Sequence, residues 1–199
     1  MRIGIGVTSF NRPECLKECL EHITRYTFMD DVKVYIAKDT DEDRRGVAYR
    51  KNECLKNLKD CDHVFLFDDD TFPIKDGWIE FFINSKQNHL LYLDKKFHKQ
   101  DFSSPAIKVF NDCGGVFMYL SRKAIDRAGY FDEDYGIYGF EHADYSNRVY
   151  GMKNYYLMKT GTEKYIYSHD YSTPNFKSSI SEEEKNECVK KNWNKYFEV

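Results

Sequence analysis

The chain has 199 residues, a formal charge of −3 and no apolar run long enough to span a bilayer. This length fits one domain, and the small negative charge argues against broad electrostatic capture of nucleic acid. We therefore expect no nucleic-acid partner, although the segment KKFHKQ (95–100) leaves a local basic surface open. The six cysteines form no C-x-x-C pair and the amino terminus lacks signal-peptide features, so we expect reduced thiols and a cytoplasmic location.

The first half of the chain alternates strands and helices. Short apolar runs rich in β-branched or aromatic residues predict strands at 3–7, 32–37 and 63–67. After Pro13, apolar residues recur at helical spacing, which predicts a first helix, and GVAYRKNECLKNLKD predicts a second. This βαβαβ order with short connections predicts an α/β fold with a doubly wound, parallel sheet.

The second half of the chain is less regular. Short strands are predicted at HLLYL, AIKVF and VFMYL, and a late strand at KYIYSH. SRKAIDRAG reads as a capped helix that ends in glycine, and GFEHADYSNRVYG as a helix entered through a glycine-containing turn. The sequence SEEE places acidic residues at the start of a C-terminal helix.

Three consecutive aspartates, Asp68, Asp69 and Asp70, directly follow the third predicted strand. Like charges this close raise one another's pKa, so we expect a positive group beside them. In doubly wound sheets ligands bind at the carboxyl ends of strands, where the polar clusters TSFNR and KDTD also lie. Paired aspartates suit Mg²⁺ or Mn²⁺, which take oxygen ligands and bridge carboxylates to substrate phosphates. The alternative is a solvated acidic turn.

The stretch VFLFDDDTFP resembles the strand and Asp-x-Asp motif of glycosyltransferases with the A-type fold, most like family 2. IGVTSFNRPECLKECLEHI, the glycine loop and acidic helix from CGGVF to YSNRV, and YIYSHD are similar to the family's other motifs in order and spacing. The resemblance implies a Rossmann-like, mostly parallel sheet with a small antiparallel acceptor-side part. It also implies a single domain, 1–199, with a nucleotide-binding half (1–94), an acceptor-side half (95–180) and a C-terminal helix or tail (181–199).

The resemblance implies metal-dependent transfer of a sugar from a nucleotide-diphosphate donor, with UDP-sugar favoured, to a glycan or other hydroxyl acceptor. The donor contacts that it implies are Thr8, Phe10, Asn11, Arg12, Asp39, Arg50, Lys51, Asp68, Asp69, Gly114 and Gly115. Mn²⁺ or Mg²⁺ would be held by Asp68 and Asp70, with His169 as the candidate third ligand. The alternative interpretation of His169 is a hydrogen-bonded structural residue. The alternative interpretation of the glycine pair is a β-bulge or a tight turn.

The resemblance points to the acceptor-side helix as the source of the general base. In inverting members of this fold, the acceptor-side helix begins with Glu-Asp, and the Asp takes the proton of the acceptor hydroxyl. This chain has Glu141 and His142 at those places, followed two residues later by Asp144. A histidine with a pKa near neutrality can act as the base. Glu141 is the alternative base or a ligand of a sugar hydroxyl. Asp144, the third residue of this candidate catalytic group, is expected to cap or orient the helix. Inversion is favoured.

Two other functions fit parts of the pattern. A sugar nucleotidyltransferase also combines an α/β sheet, carboxylates and Mg²⁺, but such enzymes usually carry a glycine-rich phosphate loop, and VTSFNRP contains no glycine. A non-catalytic nucleotide-sugar-binding module would retain the fold without the chemistry. The presence of Asp68, Asp70 and Glu141 argues against such a module, whereas His142 argues weakly for it.

Overall fold

The structure is a computed structural model, and it describes residues 1–197. The strands are β1 (Ile3–Phe10), β2 (Val32–Asp39), β3 (His63–Asp68), β4 (Thr71–Pro73), β5 (His89–Leu91), β6 (Gln100–Ser103), β7 (Ile107–Phe110), β8 (Phe117–Ser121), β9 (Tyr156–Lys159) and β10 (Ile166–Ser168). The helices are α1 (Pro13–Tyr26), α2 (Val47–Asn57), α3 (Trp78–Ile83), α4 (Arg122–Ala128), α5 (Glu141–Tyr150), α6 (His169–Ser172) and α7 (Glu182–Phe197).

The central sheet has the strand order β2-β1-β3-β8-β5. Strands β2, β1 and β3 are parallel, whereas β8 runs antiparallel to both of its neighbours. The predicted α/β fold with a mostly parallel sheet is therefore confirmed. The register places Thr8 opposite Asp68 and Phe10 opposite Asp39, so the polar ends of the three parallel strands meet at one edge.

The core lies on both faces of this sheet. Gly6 allows α2 to approach β1 closely, because a Cβ atom at Gly6 would lie 2.7 Å from the Cβ of Cys54. On the other side of β3, Trp78 is buried and contacts Phe65 and Phe67 edge-on, with ring centroids 4.8 and 5.6 Å apart. Trp78 is therefore a core residue, in line with its helical spacing in the sequence.

Two smaller antiparallel sheets flank the central one. β6, β7 and β9 form a three-stranded sheet, and β4 pairs with β10. The β4–β10 pair brings the segment after β10 next to the three aspartates, because the His169 N–H donates to the Asp70 carbonyl at 2.9 Å. No helix within residues 1–197 combines the length and the apolar character that a membrane span needs.

Helix α7 packs against the turn that precedes α5. The Asn192 side-chain amide donates to three carbonyl oxygens of that turn, those of Tyr135, Tyr138 and Gly139, at 2.7, 2.9 and 3.1 Å. Phe140 has a left-handed backbone with φ 71°, a conformation that costs a non-glycine residue about 1–3 kcal/mol. Its ring stacks on Tyr196 of α7 with centroids 4.8 Å apart, so α7 helps hold the start of α5 in place. The division of the chain at 94, 95 and 181 stays a prediction, and residues 198–199 lie outside the described part.

Candidate active site

A cleft of about 630 Å³ opens where β1, β2 and β3 end and where β8 begins. Predicted site residues that line it are Thr8, Phe10, Arg12, Asp39, Arg50, Lys51, Asp68, Asp70, Gly114, Gly115, Glu141 and His142. Four others, Asn11, Asp69, Asp144 and His169, lie outside its lining. The cleft thus brings together predicted site residues that are up to 134 positions apart in the sequence, from Thr8 to His142.

Arg12 is the positive group beside the three aspartates. Its guanidinium forms an ion pair with Asp69, which is fully buried, and donates to Asp70 Oδ2 at 2.6 Å. The Thr71 hydroxyl donates to the other oxygen of Asp70 at 3.2 Å. Burial raises the pKa of Asp69 to about 6 and that of Asp70 to about 7, although the Arg12 charge opposes both shifts. Burial is therefore the larger effect on the pKa of both carboxyl groups, even beside the Arg12 guanidinium.

Asp68 has a different environment from its two neighbours. Its carboxylate accepts a hydrogen bond of 3.0 Å from the Thr8 hydroxyl and lies 3.5 Å from the Lys51 ammonium group. Lys51 is itself buried and donates to the Gly115 carbonyl at 2.8 Å. Lys51 thus links the strand end that carries Asp68 to the glycine loop before β8, and it places a fixed positive charge inside the cleft.

A fourth aspartate, Asp170, lines the cleft near Asp68 and Asp70. Burial raises its pKa, and the Asp68 charge raises it further, while the Arg12 and Lys185 charges lower it. The sequence prediction did not include Asp170, although it directly follows His169 in YIYSHD. The contact that the sequence could not show is the β4–β10 pairing, which carries this residue to the aspartates.

His169 is engaged away from the cleft. One ring nitrogen lies 2.9 Å from Glu18 and the other 2.8 Å from the Thr173 hydroxyl. The ring also stacks on Phe176, with centroids 5.1 Å apart. These contacts favour the structural reading of His169, and its role as a metal ligand stays a prediction without support from its position.

The cleft fits a divalent cation by its chemistry. Asp68, Asp70 and Asp170 supply only oxygen atoms, the ligands that Mg²⁺ and Mn²⁺ prefer. Burial is the main cause of the raised pKa values of Asp70 and Asp170, and a positive charge bound beside these carboxylates would lower both. Within residues 1–197, however, no three Asp, Glu, His or Cys side chains are already gathered closely enough to hold an ion.

Asp39 and Arg50 build the cleft wall beside β2. The Asp39 carboxylate accepts hydrogen bonds from the backbone N–H of Arg45 and Gly46, both at 2.8 Å, and from Arg50 Nε at 2.7 Å. Arg50 also pairs with Asp43 at 2.8 Å, so the two side chains hold the loop between β2 and α2. Both side chains therefore already make hydrogen bonds within this loop. Their contacts with a nucleotide stay a prediction.

Phe10 and Asn11 leave β1 in different directions. The Phe10 ring lines the cleft, and the Arg44 guanidinium lies 4.4 Å from its centroid. Asn11 has a left-handed backbone with φ 50°, and its amide donates to Asp41 at 2.9 Å. The structure therefore places Phe10 in the lining of the cleft and Asn11 at a loop contact outside it.

Glu141, which is buried, and His142, which is partly buried, form a pair at the start of α5. His142 Nδ1 lies 2.9 Å from Glu141 Oε1, and its Nε2 lies 2.9 Å from the Cys113 carbonyl. A carboxylate and a carbonyl can only accept, so both ring nitrogens act as donors. Burial alone would lower the pKa of His142, but the Glu141 charge outweighs it and the pKa is raised well above its usual value.

The same pairing acts on Glu141 in the opposite direction. Burial alone would raise its pKa, but the His142 charge outweighs this effect and lowers the pKa to about 2. Glu141 Oε2 lacks a hydrogen-bond partner among the described residues, although it is buried. His142 thus has no free lone pair with which to accept a proton, whereas Glu141 is ionised and has a free oxygen atom.

The glycine pair before β8 leaves room for the protein's own rings. A Cβ atom at Gly114 would lie 2.5 Å from the Tyr171 hydroxyl and 3.1 Å from His98 Nε2. One at Gly115 would lie 2.9 Å from Cγ of the His142 ring. Both positions therefore require glycine for packing alone, and close approach of a sugar to them stays a prediction.

Asp144 forms an ion pair along α5. It lies 2.9 Å from Arg148 Nη2 and 3.0 Å from Arg148 Nε, one helical turn further along. This arrangement fits the predicted orienting role and keeps the carboxylate away from the cleft. Residues of the cleft and its support that the sequence analysis missed are Asp170, Tyr171, Phe97, His98 and Asn192.

No family model matches the chain. One curated relative is the uncharacterized glycosyltransferase R363 of Acanthamoeba polyphaga mimivirus, which is 31% identical over 125 residues. The match covers 57% of this chain and 48% of the relative, so the chain spans about half the length of that protein.

Three solved structures share the fold. TarS 1–349 of S. aureus in complex with UDP aligns over 100% of this chain and 72% of its own, with 13% identity and a TM-score of 0.61. GalNAc-T7 with UDP, GalNAc and Mn²⁺ aligns over 80% of this chain and 42% of its own, with 11% identity and a TM-score of 0.61. A197 from STIV aligns over 90% of this chain and 100% of its own, with 15% identity and a TM-score of 0.52. The chain therefore has the glycosyltransferase A fold, and the resemblance to glycosyltransferases of this fold seen in its sequence is confirmed.

Proposed function

We propose that this protein is a glycosyltransferase that moves a sugar from a nucleotide-diphosphate donor to an acceptor hydroxyl. The observation that carries the proposal is the cleft itself, because Asp68, Asp70, Asp170 and Glu141 all line it at the carboxyl edge of the sheet. Ligands of doubly wound sheets bind at this edge. The curated relative is named a glycosyltransferase, and TarS and GalNAc-T7 were both solved with UDP, which favours a UDP-sugar donor.

The donor diphosphate would be neutralised by several positive groups. Asp68, Asp70 and Asp170 would hold Mn²⁺ or Mg²⁺, and the bound ion would supply Lewis-acid stabilisation of the departing diphosphate. Lys51 and Arg12 contribute fixed positive charge from the protein itself, and both line the cleft. The nucleoside would lie toward Phe10 and Asp39, where β1 and β2 end.

Glu141 is the general base in this proposal. The acceptor oxygen attacks the anomeric carbon, the bond from that carbon to the diphosphate oxygen breaks, and the Glu141 carboxylate takes the proton of the acceptor hydroxyl. Direct attack inverts the configuration of the anomeric carbon. Because both nitrogens of His142 already donate, we assign this residue to positioning Glu141 through the 2.9 Å contact with Oε1.

Binding of the donor is the first test. Calorimetric titration with a panel of nucleotide sugars, with Mn²⁺ and with a chelator, should show metal-dependent binding of one donor. Asp70→Ala should abolish this binding, whereas Asp101→Ala, a control on the exposed strand β6, should leave it unchanged. Equal, metal-independent binding by wild type and Asp70→Ala would contradict the metal role of Asp70.

Turnover is the second test, and it separates an enzyme from a binding module. Release of nucleoside diphosphate, with water as the acceptor, should require the cation. Glu141→Gln should lower this rate about 10²- to 10⁴-fold, the range typical of a lost general base, with little change in donor affinity. His142→Asn should have a smaller effect. If instead His142→Asn removes activity and Glu141→Gln retains it, His142 is the base, as the sequence alone suggested.

A further inference from the structure

Phe97 is an exposed aromatic residue at the lining of the cleft. It belongs to the segment KKFHKQ (95–100), and 57% of its surface is exposed, whereas most of the chain's aromatic side chains are at least partly buried. One exposed apolar side chain on a protein surface needs no explanation. This one differs because it lies in the site and because its ring is held in place.

The support of Phe97 is a set of fixed contacts on one side of its ring. The ring stacks on Tyr171, with centroids 5.6 Å apart and an angle of 23° between the planes. Tyr171 is buried, lies 3.0 Å from His98 Nε2 through its hydroxyl, and donates to the Tyr92 carbonyl at 3.3 Å. The Phe97 N–H also donates to the Asp94 carbonyl at 2.9 Å. The platform is therefore preorganised, and binding there orders no additional loop.

Phe97 lies at the end of the cleft that holds the proposed base. Its neighbour His98 approaches Gly114, the next residue Gly115 packs against the His142 ring, and His142 holds Glu141. The glycines in this set of contacts lie just before β8, which is next to β3 in the central sheet. The proposed nucleoside end, at Phe10 and Asp39, follows β1 and β2 on the other side of β3 in the strand order.

We propose that Phe97 is a platform on which a ring of the acceptor sugar stacks. This inference rests on the proposed glycosyl transfer and narrows its acceptor to a carbohydrate. A pyranose presents an apolar face of C–H groups to an aromatic ring and hydroxyl groups around its rim. The surroundings match that chemistry, because Phe97 is flanked by the exposed Lys96 and by the imidazole of His98, and backbone of Gly114 and Cys113 lines the same end.

The test is saturation-transfer NMR of the full chain with methyl glycosides of glucose, galactose, mannose and N-acetylglucosamine, in the presence of UDP and Mn²⁺. Phe97→Ala should weaken binding of the preferred glycoside roughly tenfold, in the range expected for loss of one aromatic stack. Phe97→Trp should retain binding. Phe102→Ala is the matched control, because Phe102 is 58% exposed on β6 and does not line the cleft.

Each outcome decides the proposal. Equal binding of a glycoside by wild type and Phe97→Ala overturns it, as does a wild type that binds none of the glycosides. Equal weakening by Phe102→Ala overturns it as well, because the effect would not be specific to the cleft. A parallel sample contains uridine and no glycoside. If uridine binding depends on Phe97, the ring stacks on a nucleobase, and this result also overturns the proposal. Calorimetry of the same wild-type sample tests the proposed function separately. If the wild type shows no metal-dependent donor binding, the proposed function itself fails.

Discussion

Replacing Arg12 by glutamine should destabilise the protein strongly, because Arg12 is the cation of two buried carboxylates. The Asp69 side chain is 0% exposed and that of Asp70 is 4% exposed. Removing one partner of a buried ion pair costs about 3–5 kcal/mol, because the other charge stays buried without compensation. Proton uptake limits this cost, since burial already raises the pKa of Asp70 to about 7. We therefore expect a loss of about 3 kcal/mol in the free energy of unfolding near pH 7.

Urea unfolding in the presence of a chelator measures this loss without any contribution from a bound cation. The matched control is Arg44→Gln, which removes an ion pair to Glu184 whose side chains are 26% and 34% exposed. Exposed pairs contribute at most about 1 kcal/mol. The free energy of unfolding of Arg12→Lys should lie between those of Arg12→Gln and the wild type. An ammonium group keeps the charge but cannot bind two carboxylates with the geometry of a guanidinium. If Arg12→Gln costs no more than Arg44→Gln, the two ion pairs do not stabilise the native state and the reasoning is refuted.

Three further predictions address parts of the structure around the cleft. Asn192→Ala should cost about 2 kcal/mol in urea unfolding, because three buried carbonyl oxygens lose their donor, and should leave nucleotide binding largely unchanged in calorimetry. Lowering the pH from 6.5 to about 4 should cost the native state about 3 kcal/mol through His89, because burial lowers its pKa to about 4 while the unfolded chain takes up the proton near 6.5. The unfolding free energy of His89→Gln should therefore fall less over this range. Gly115→Ala should cost about 1–3 kcal/mol in thermal unfolding, because its Cβ would overlap the His142 ring, and an unchanged midpoint would contradict that packing.

The fold could be predicted largely from the sequence because its signals are local. The apolar runs of β1, β2 and β3 and the spacing within α1 and α2 each occupy fewer than about 15 neighbouring residues, and short connections then restrict the topology. The antiparallel insertion of β8 next to β3 has no such local signal. Neither does the docking of α7, which depends on Asn192 and on aromatic contacts to Phe140 from a distant part of the chain.

The site could be predicted only as a set of residues, not as a set of contacts. Most predicted residues do line the cleft, because the carboxyl ends of parallel strands meet at one edge. The partners of each side chain depend on long-range geometry. The prediction placed Asp39 at the nucleotide, but in the structure both of its oxygens accept hydrogen bonds from the loop between β2 and α2. Asp170 was overlooked in favour of His169, because only the pairing of β4 with β10 decides which of the two side chains reaches the cleft.

The three consecutive aspartates show why identical residues need separate experiments. Asp68 lies toward the cleft with Thr8 and Lys51, so its removal should act on donor binding more than on folding. Asp69 lies outside the cleft lining and contacts Arg12 in the interior, so Asp69→Asn should act on stability. Asp70 takes part in both environments, because it lines the cleft and pairs with Arg12 as well. A cation that binds between Asp70 and Asp68 must therefore compete with Arg12 for one carboxylate, and the stability that it adds should be larger in Arg12→Gln than in the wild type.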